Sequence, residues 1–373
     1  MNLKIKVRRI LMSIFITGTT GYVGKHLLRY LLLAGIPVTI CIRAKKGVSG
    51  KERFITEIAN DPLFIGVPFC VRIVEKDVSE LVASDLAGCH TIIHCAANVK
   101  FTSPLELLMK ENVHALRNIY QISKGLRFVH ISTCYVHPKT QTIRKPVRIS
   151  GNLQPSDFIC NYAYTKYLAE QYLYSQDGNI DIIRLSCVGS PLENLPPMRG
   201  GAHLSIIEAI LRHMVPDIWV PSGFKFSVVP VDIVAKEIIK HICKPSSGIQ
   251  IRQYCAPLNS TTYNFKLLNI LNVFDLKGLT RIWSGIDFEE FKAKMKSKYW
   301  LFPSVWKRIC DTNEVISYVS DNIDFESSIV FPDVGYKSYI NSTFNYVKLF
   351  ILTKPSKETF QSFMNQILIP YIA

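Results

Sequence analysis

None of the ten cysteines stands in a C-x-x-C spacing, and several lie inside apolar runs, as Cys41 does in "VTICIR" and Cys95 in "TIIHCAA". That usage argues against a zinc site or a disulfide framework and reads as buried, reduced thiols of a cytosolic or cytosol-facing protein. No run of 18 apolar residues occurs, which argues against a membrane-spanning helix. No acidic residue precedes Glu52, whereas Lys4, Lys6, Arg8, Arg9, Lys25, Arg29, Arg43, Lys45, Lys46 and Lys51 all do. The formal net charge of +15 suits an anionic partner, either a phosphorylated ligand or a membrane surface touched peripherally. No nucleic-acid-binding motif accompanies that charge, so no nucleic acid is expected. There is also no internal repeat and no low-complexity tract.

What is present is the balance of a folded globular chain, 48% hydrophobic and 20% charged over 373 residues, enough for two medium domains or one large domain with an appendage. From Ser13 onward short β-branched runs alternate with helical stretches, the signature of a parallel sheet covered by helices. "SIFIT" (13–17), "PVTICIR" (37–43), "FCVRIVEKD" (69–77), "HTIIHCAA" (90–97), "RFVHIST" (127–133) and "NIDIIRLS" (179–186) read as strands. Helices are expected over 22–35 and 104–124, and again around Tyr162. The fold class is therefore α/β, a Rossmann-like doubly wound parallel sheet with a smaller substrate lobe and a helical C-terminal region. The expected boundaries are a basic tail at 1–12, the nucleotide-binding domain with its substrate lobe at 13–260, and a helical region at 261–373. Residues 1–11 read as a short basic tail or an over-called start. A helix near 203–214 and a strand-turn-helix over 226–242 are assigned to the substrate lobe.

Between the first strand and first helix, "ITGTTGYVGKHLL" sets Gly18, Gly21 and Gly24 three residues apart. Such a turn must be tight, must let backbone approach a pyrophosphate, and must aim a helix N-terminus at the phosphates. Dinucleotide binding follows, the alternative being a purely structural turn. An NAD-specific site carries an acidic residue at the end of strand 2. Here "IRAKKG" offers Arg43, Lys45 and Lys46, which suits a 2′-phosphate and so NADPH, unless this is only a solvated basic loop. Asp77 and Val78, just past strand 3, either meet the adenine or begin a capped turn.

Tyr-x-x-x-Lys occurs three times, at Tyr120/Lys124, Tyr135/Lys139 and Tyr162/Lys166. Element order selects the last. A reductase of this architecture needs a hydroxyl at the end of the fifth strand, then a helix carrying Tyr and Lys on one face. Ser132 and Thr133 end that strand, and Tyr162 follows on the next helix. A lysine ammonium favours the phenolate of a neighbouring tyrosine, and a threonine hydroxyl can bond the substrate oxygen as charge develops. Thr133, Tyr162 and Lys166 are thus the expected catalytic residues, with Lys166 also holding the nicotinamide ribose. Asn112 either orients Lys166 or a water, or caps a helix break. His90, His94, His130 and His137 lack ligand spacing and read as core or surface residues, with no metal expected. Cys134 and Cys160 flank these segments without a paired base, so acyl transfer to a thiol is not expected.

These stretches resemble the extended short-chain dehydrogenase/reductases, and within them the fatty acyl-CoA reductase and thioester-reductase branch. The likeness is carried by "FITGTTGYVGKHLLRYLL", "IRAKKGVSGKERF" with "DPLF", "IIHCAANVKF", "HISTCYV" and "YAYTKYLAE". The basic "RAKKGVSGKERF" stretch discriminates most, because epimerases and steroid dehydrogenases share the glycine turn and the Tyr-Lys pair without it. The resemblance implies NADPH contacts at Gly18, Thr20, Gly21, Tyr22, Val23, Gly24, Arg43, Lys46, Asp77, Val78, Ala96, Ala97 and Lys166. It also implies reduction of an acyl-CoA or other acyl thioester to aldehyde or alcohol. Where the family usually reads Arg-Pro-Ser, this chain has Arg184-Leu185-Ser186, and its C-terminal region is shorter, without a terminal span. Rival readings are an NAD(P)-dependent alcohol or 3β-hydroxysteroid dehydrogenase and a non-catalytic dinucleotide-binding protein.

Overall fold

The computed structural model describes residues 13–353, apart from 102, 142, 199, 201–203, 206, 209–215, 221–224, 257–263, 267–280, 320–323 and 333. The basic tail at 1–12 and most of the helix expected at 203–214 lie outside the described residues. The chain divides into two compact units. The first is built from the chain up to Pro138, Lys145–Leu185 and Val231–Tyr254, the second from Lys139–Arg144, Ser186–Pro230 and Cys255 onward.

In chain order the strands are β1 (Ile14–Thr17), β2 (Val38–Cys41), β3 (Val71–Val74), β4 (Thr91–His94), β5 (Arg127–Thr133), β6 (Ile143–Arg144) and β7 (Ile180–Leu185). They continue as β8 (Cys187–Gly189), β9 (Asp217–Trp219), β10 (Lys225–Pro230) and β11 (Ile249–Tyr254). Seven of them form the sheet of the first unit in the order β11-β7-β5-β4-β1-β2-β3, every neighbouring pair parallel. Central parallel strands are covered on both faces, which is why β1 reads Ile-Phe-Ile rather than alternating, with Ile14, Phe15 and Ile16 fully buried. The connections reverse direction between β1 and β4, and the carboxyl ends of those strands open the crevice where such sheets bind ligands.

Helical segments follow the strands on the way round that crevice. The helix α1 (Tyr22–Leu33) follows the glycine turn and buries Leu27, Leu28, Leu31 and Leu32. The short α2 (Gly50–Phe54) starts at a capping box, Ser49 accepting from the Glu52 N–H and Glu52 from the Ser49 N–H. Next, "DPLF" docks on α1: Lys25 and Asp61 form a buried ion pair at 2.7 Å, and Arg29 donates to the Leu63 carbonyl. The expected single helix at 104–124 is α3 (Leu105–Leu108) and α4 (Ala115–Ile122), joined by wider π turns over Met109–His114. The helix α5 (Asn161–Tyr174) carries the Tyr-Lys pair.

The segment 226–242 differs from expectation. Strand β10 passes directly into the helix α6 (Val231–Ile242) with no turn between them, and α6 lies in the first unit, where Lys236 sits 5.2 Å over the Tyr30 ring of α1. At the amino ends of the strands, away from the crevice, Asp181 joins Arg127 and His241, each at 2.7 Å. Arg127 also donates to the Ile242 and Lys244 carbonyls, closing the end of α6.

In the second unit β10 pairs parallel with β8 and antiparallel with β12 (Asn264–Lys266), and β9 pairs with β13 (Arg281–Trp283). Asp217, fully buried on β9, is satisfied by Lys298, Trp283 Nε1 and the Tyr299 hydroxyl. Helices cover Phe288–Lys298, Pro303–Val319 and Tyr336–Thr353, so the C-terminal region is largely helical where described, with short strands added.

Candidate functional site

A cleft of about 830 Å³ opens at the carboxyl ends of β1, β2, β3 and β4. Of the residues expected to meet a cofactor it brings together Gly18, Thr20, Gly21, Arg43, Asp77, Val78, Ala96 and Ala97. Tyr22, Val23, Gly24 and Lys46 lie outside its lining, as do Thr133, Tyr162 and Lys166. It also gathers residues the sequence did not single out, among them Arg53, Lys76, Cys95, Asn98, Lys100, Ser103, Lys110 and Glu111.

Two glycines explain the shape of the floor. Gly18 has φ +79°, and a side chain there would place its Cβ 2.6 Å from the Ala96 nitrogen. At Gly24 the added Cβ would meet the Gly18 carbonyl oxygen at 2.1 Å. Both clashes are with backbone, so these two glycines let the end of β4 and the first turn of α1 pack hard against the turn and set the α1 N-terminus beside the cleft. Thr19, 1% exposed in the same turn, has a hydroxyl with no hydrogen-bond partner. That oxygen is closed off from solvent and Thr19 does not line the cleft, which here is formed by Gly18, Thr20 and Gly21 at the N-terminus of α1, where helix N–H groups favour a phosphate. The turn thus fits a dinucleotide pyrophosphate.

The wall opposite is held by a short relay. The Ala96 N–H donates to Thr17 Oγ1 (3.1 Å), which lies 3.0 Å from His94 Nδ1. Thr17 keeps both its proton and a second lone pair for His94 Nδ1, so that bond runs in either direction according to the tautomer of a neutral ring. Burial, and then the Lys166 charge, pushes His94 down to about 3, consistent with that state. Cys95 beside it is pushed up to about 11 by burial despite Lys166, so at neutral pH it stays a thiol.

At the β2–β3 end, Arg43 pairs with Asp77 (2.8 Å) and more loosely with Glu111 (3.5 Å). Asp77 does cap the following turn, accepting from the N–H and hydroxyl of Ser79, while also lining the cleft. Burial raises its pKa, but Ser79 and Arg43 outweigh that and hold it below the usual carboxylate range. Lys45 lines the cleft. Lys46 and Gly47, with φ +51° and +79°, form the tip of a tight reversal closed by Lys45 and Val48. Arg53 donates to the Arg43 carbonyl at 2.7 Å and grips Glu57, fixing the basic segment.

Beside the cleft stands the Tyr-Lys helix. Lys166 is 3% exposed and donates to the Ile131 carbonyl at 2.9 Å. Burial pulls its pKa down to about 8, with Cys95 and Glu170 pulling the other way. The Tyr162 ring is half-buried, 5.6 Å from Phe101 on the loop after β4. Asn112, in the π turns, accepts from the Asn98 N–H (2.7 Å) and donates to the Asn98 carbonyl (3.0 Å) and Thr165 Oγ1 (3.2 Å). Its side chain thus ties the cleft loop to the residue before Lys166 and reaches neither Lys166 itself nor a helix cap.

Ser132 and Thr133 are separated by strand alternation. Ser132 donates to Glu170 at 2.5 Å. Thr133 Oγ1 accepts from the Tyr135 N–H at 3.3 Å, leaving its own proton to give. Glu170 also accepts from the Tyr174 hydroxyl (2.6 Å) and from Arg184 Nη2 (2.6 Å), the ion pair being fully buried. Burial raises the Glu170 pKa, yet Arg184, Ser132 and Tyr174 together hold it below its ordinary value. Spacing alone hints at Glu170, four residues after Lys166 on one helix face; Arg184 is a long-range partner that spacing does not reveal. The rival Tyr120 is buried in α4 and donates to the Asp177 carbonyl at 2.8 Å, a packing role.

Comparison with known proteins places this geometry. Residues 16–238 match the family model described as "Male sterility protein", an NAD-binding domain. Fatty acyl-CoA reductase 1 of Xenopus laevis is 30% identical over 225 residues, 48% of this chain and 43% of that protein. Fatty acyl-CoA reductase 1 of Gallus gallus is 28% identical over 278 residues, 60% of this chain and 52% of that protein. The chain therefore spans about half the length of the curated relatives it matches. Among solved structures, the terminal R domain of the myxalamid PKS-NRPS pathway superposes with a TM-score of 0.68 at 15% identity, covering 93% of this chain and 92% of that one. At that identity the superposition speaks for the fold.

Proposed function

Because the chain belongs to the NAD-binding family of the male sterility protein, matched over residues 16–238, we propose that it is an NADPH-dependent reductase of a fatty acyl thioester, such as an acyl-CoA. The observation that carries the reading is the pairing of a dinucleotide-shaped cleft with a Tyr162/Lys166 helix tied to its rim through Asn98, Asn112 and Thr165. The names of the curated relatives supply the substrate class, and the solved R domain adds a neighbour of the same fold.

The glycine turn and the α1 N-terminus would hold the pyrophosphate, Asp77 and Val78 the adenosine, and Arg43 with Lys45 a 2′-phosphate. The bound nicotinamide supplies the hydride. Tyr162 gives its proton to the thioester oxygen, and the Lys166 ammonium favours the phenolate left behind. Thr133, whose oxygen is already an acceptor, donates its hydroxyl proton to the same oxygen as charge gathers there. The hemithioacetal so formed then expels the thiol and leaves aldehyde; a second round of the same chemistry gives alcohol. Ser132 is excluded from this role by its bond to Glu170.

The test is NADPH consumption with a panel of acyl-CoAs from short to long, free thiol being counted in parallel. Matching NADPH loss and thiol release, lowered roughly 10²- to 10⁴-fold in Tyr162→Phe, is the expected result. Turnover of a secondary alcohol without thiol release would instead favour the hydroxysteroid dehydrogenase reading.

A further inference from the structure

From Phe291 to Cys310 the sequence carries six basic residues, Lys292, Lys294, Lys296, Lys298, Lys307 and Arg308, and not one acid. The cleft uses none of them. In the second unit the helix Phe288–Lys298 buries Phe291 and Met295 and ends in a turn that exposes Trp300 at 70% and Leu301 at 51%. Tryptophan is ordinarily well buried, as Trp219 is here at 7%, so an adjacent exposed Trp-Leu pair calls for a reason.

The turn is built rather than loose. On one side the Tyr299 hydroxyl is fixed to the buried Asp217 at 2.5 Å, and Lys298 reaches the same carboxylate at 2.7 Å. On the other side the Phe302 carbonyl accepts from the N–H groups of Val305 and Trp306, opening the helix Pro303–Val319. Trp300 and Leu301 are the two residues left between these anchors, and both face solvent. Charge is segregated around them. Glu289 and Glu290, in the first turn of the helix, pair with Lys292 and Lys294, whereas Lys296 and Lys307, both exposed, flank the tip; the nearest acid in sequence to Lys307 is Asp311, one helical turn further on.

We propose that the turn Tyr299–Phe302 docks on a lipid bilayer with anionic headgroups, Trp300 and Leu301 entering the interface while Lys296 and Lys307 lie over the lipid phosphates. Two apolar side chains are far short of the roughly 800 Å² per partner of a stable protein interface, which disfavours a protein occupant. They suffice for interfacial insertion, because tryptophan favours the headgroup level and neighbouring lysines add attraction to anionic lipid. No helix among the described residues is long and apolar enough to cross a membrane. The proposal does not depend on the reading of the cleft.

The full chain is tested by co-sedimentation with vesicles of phosphatidylcholine alone and of phosphatidylcholine mixed with phosphatidylserine. Binding at least tenfold tighter to the mixed vesicles is expected, weakening as salt is raised. Trp300→Ala/Leu301→Ala should lose tenfold or more, and Lys296→Gln/Lys307→Gln several-fold together with part of the salt dependence. Far-UV circular dichroism keeps folding separate, since all four positions are exposed. No binding to either vesicle, equal binding to both, or unchanged binding of the Trp300→Ala/Leu301→Ala variant would overturn the proposal. So would self-association abolished by that variant without any vesicle binding, which would make a second copy the occupant.

Discussion

Replacing Arg184 by methionine removes the cation from a carboxylate that is itself fully buried. Glu170 would keep the hydroxyls of Ser132 and Tyr174 but lose Arg184 Nε and Nη2, while His137 and the Lys145 carbonyl lose Arg184 Nη1. Breaking one side of a buried pair costs about 3–5 kcal/mol, a large share of the roughly 5–15 kcal/mol that keeps a domain folded. A double variant, Glu170→Leu with Arg184→Met, removes both charges and should recover most of the loss. The probe matters, because Trp219, Trp283, Trp300 and Trp306 all lie in the second unit. Tryptophan fluorescence would therefore follow the wrong unit. Urea unfolding should be followed by far-UV circular dichroism, with hydrogen exchange of the β5 and β7 amides as the local readout.

The pH dependence gives a second check on the same pair. In the wild type the Glu170 pKa is held below its unfolded value of 4.5, so its contribution is present above that value and lost as acid protonates the folded carboxylate. Without Arg184, burial raises the folded pKa above the unfolded one, and the variant should gain on the wild type as pH falls. An Arg184→Met protein within about 0.5 kcal/mol of wild type, a change typical of an inconsequential surface substitution, would refute the reasoning.

Other outcomes follow from the site. Lys166 is held at about 8 by burial, opposed by Cys95 and Glu170, with the neutral His94 and His130 nearby. Its unfolded value is 10.5, so the unfolded chain holds more protons between the two, and stability should rise with pH across that window. Reductase activity should fall over the same range as the ammonium is lost; a pH–rate profile flat well above 8 would count against Lys166 acting as a cation. Gly24→Ala must displace the Gly18 carbonyl and should abolish cofactor binding, with a loss of about 1–3 kcal/mol in thermal or urea unfolding. Arg43→Ala should cut the preference for NADPH over NADH roughly tenfold to a hundredfold, as expected for losing a charge-assisted hydrogen bond, read from the two dissociation constants by nucleotide fluorescence.

Much of the fold was legible because its signals are local. Buried parallel strands announce themselves as short runs of Ile and Val, and the glycine turn sits where the strand-to-helix transition requires it. The order of elements was enough to place Tyr162 on a helix after β5, as α5 carries it. What escaped depends on distant partners or on geometry inside a helix. The π turns at Met109–His114 leave no periodicity a reader can count, yet they put Asn112 between Asn98 and Thr165. The second strand-end basic residue to line the cleft is Lys45, because the positive φ of Lys46 places that residue at the tip of the reversal. Strand alternation could have separated Ser132 from Thr133 in advance, but naming the outward one required Glu170 to be seen beneath the sheet.

The interleaving of the two units bears on where the chain can be cut. The family match stops at residue 238, while the first unit runs on through α6 to Tyr254. Those last residues include β11, which hydrogen-bonds along the whole of β7 from Ile180 to Leu185. A fragment ended at the limit of the match would strip that neighbour away and leave β7 a bare, six-residue hydrophobic margin, the kind of edge that recruits other chains. It would also remove the Ile242 and Lys244 carbonyls that receive Arg127. The smallest piece expected to keep β7 covered therefore ends beyond Tyr254, and homology alone would misplace its terminus.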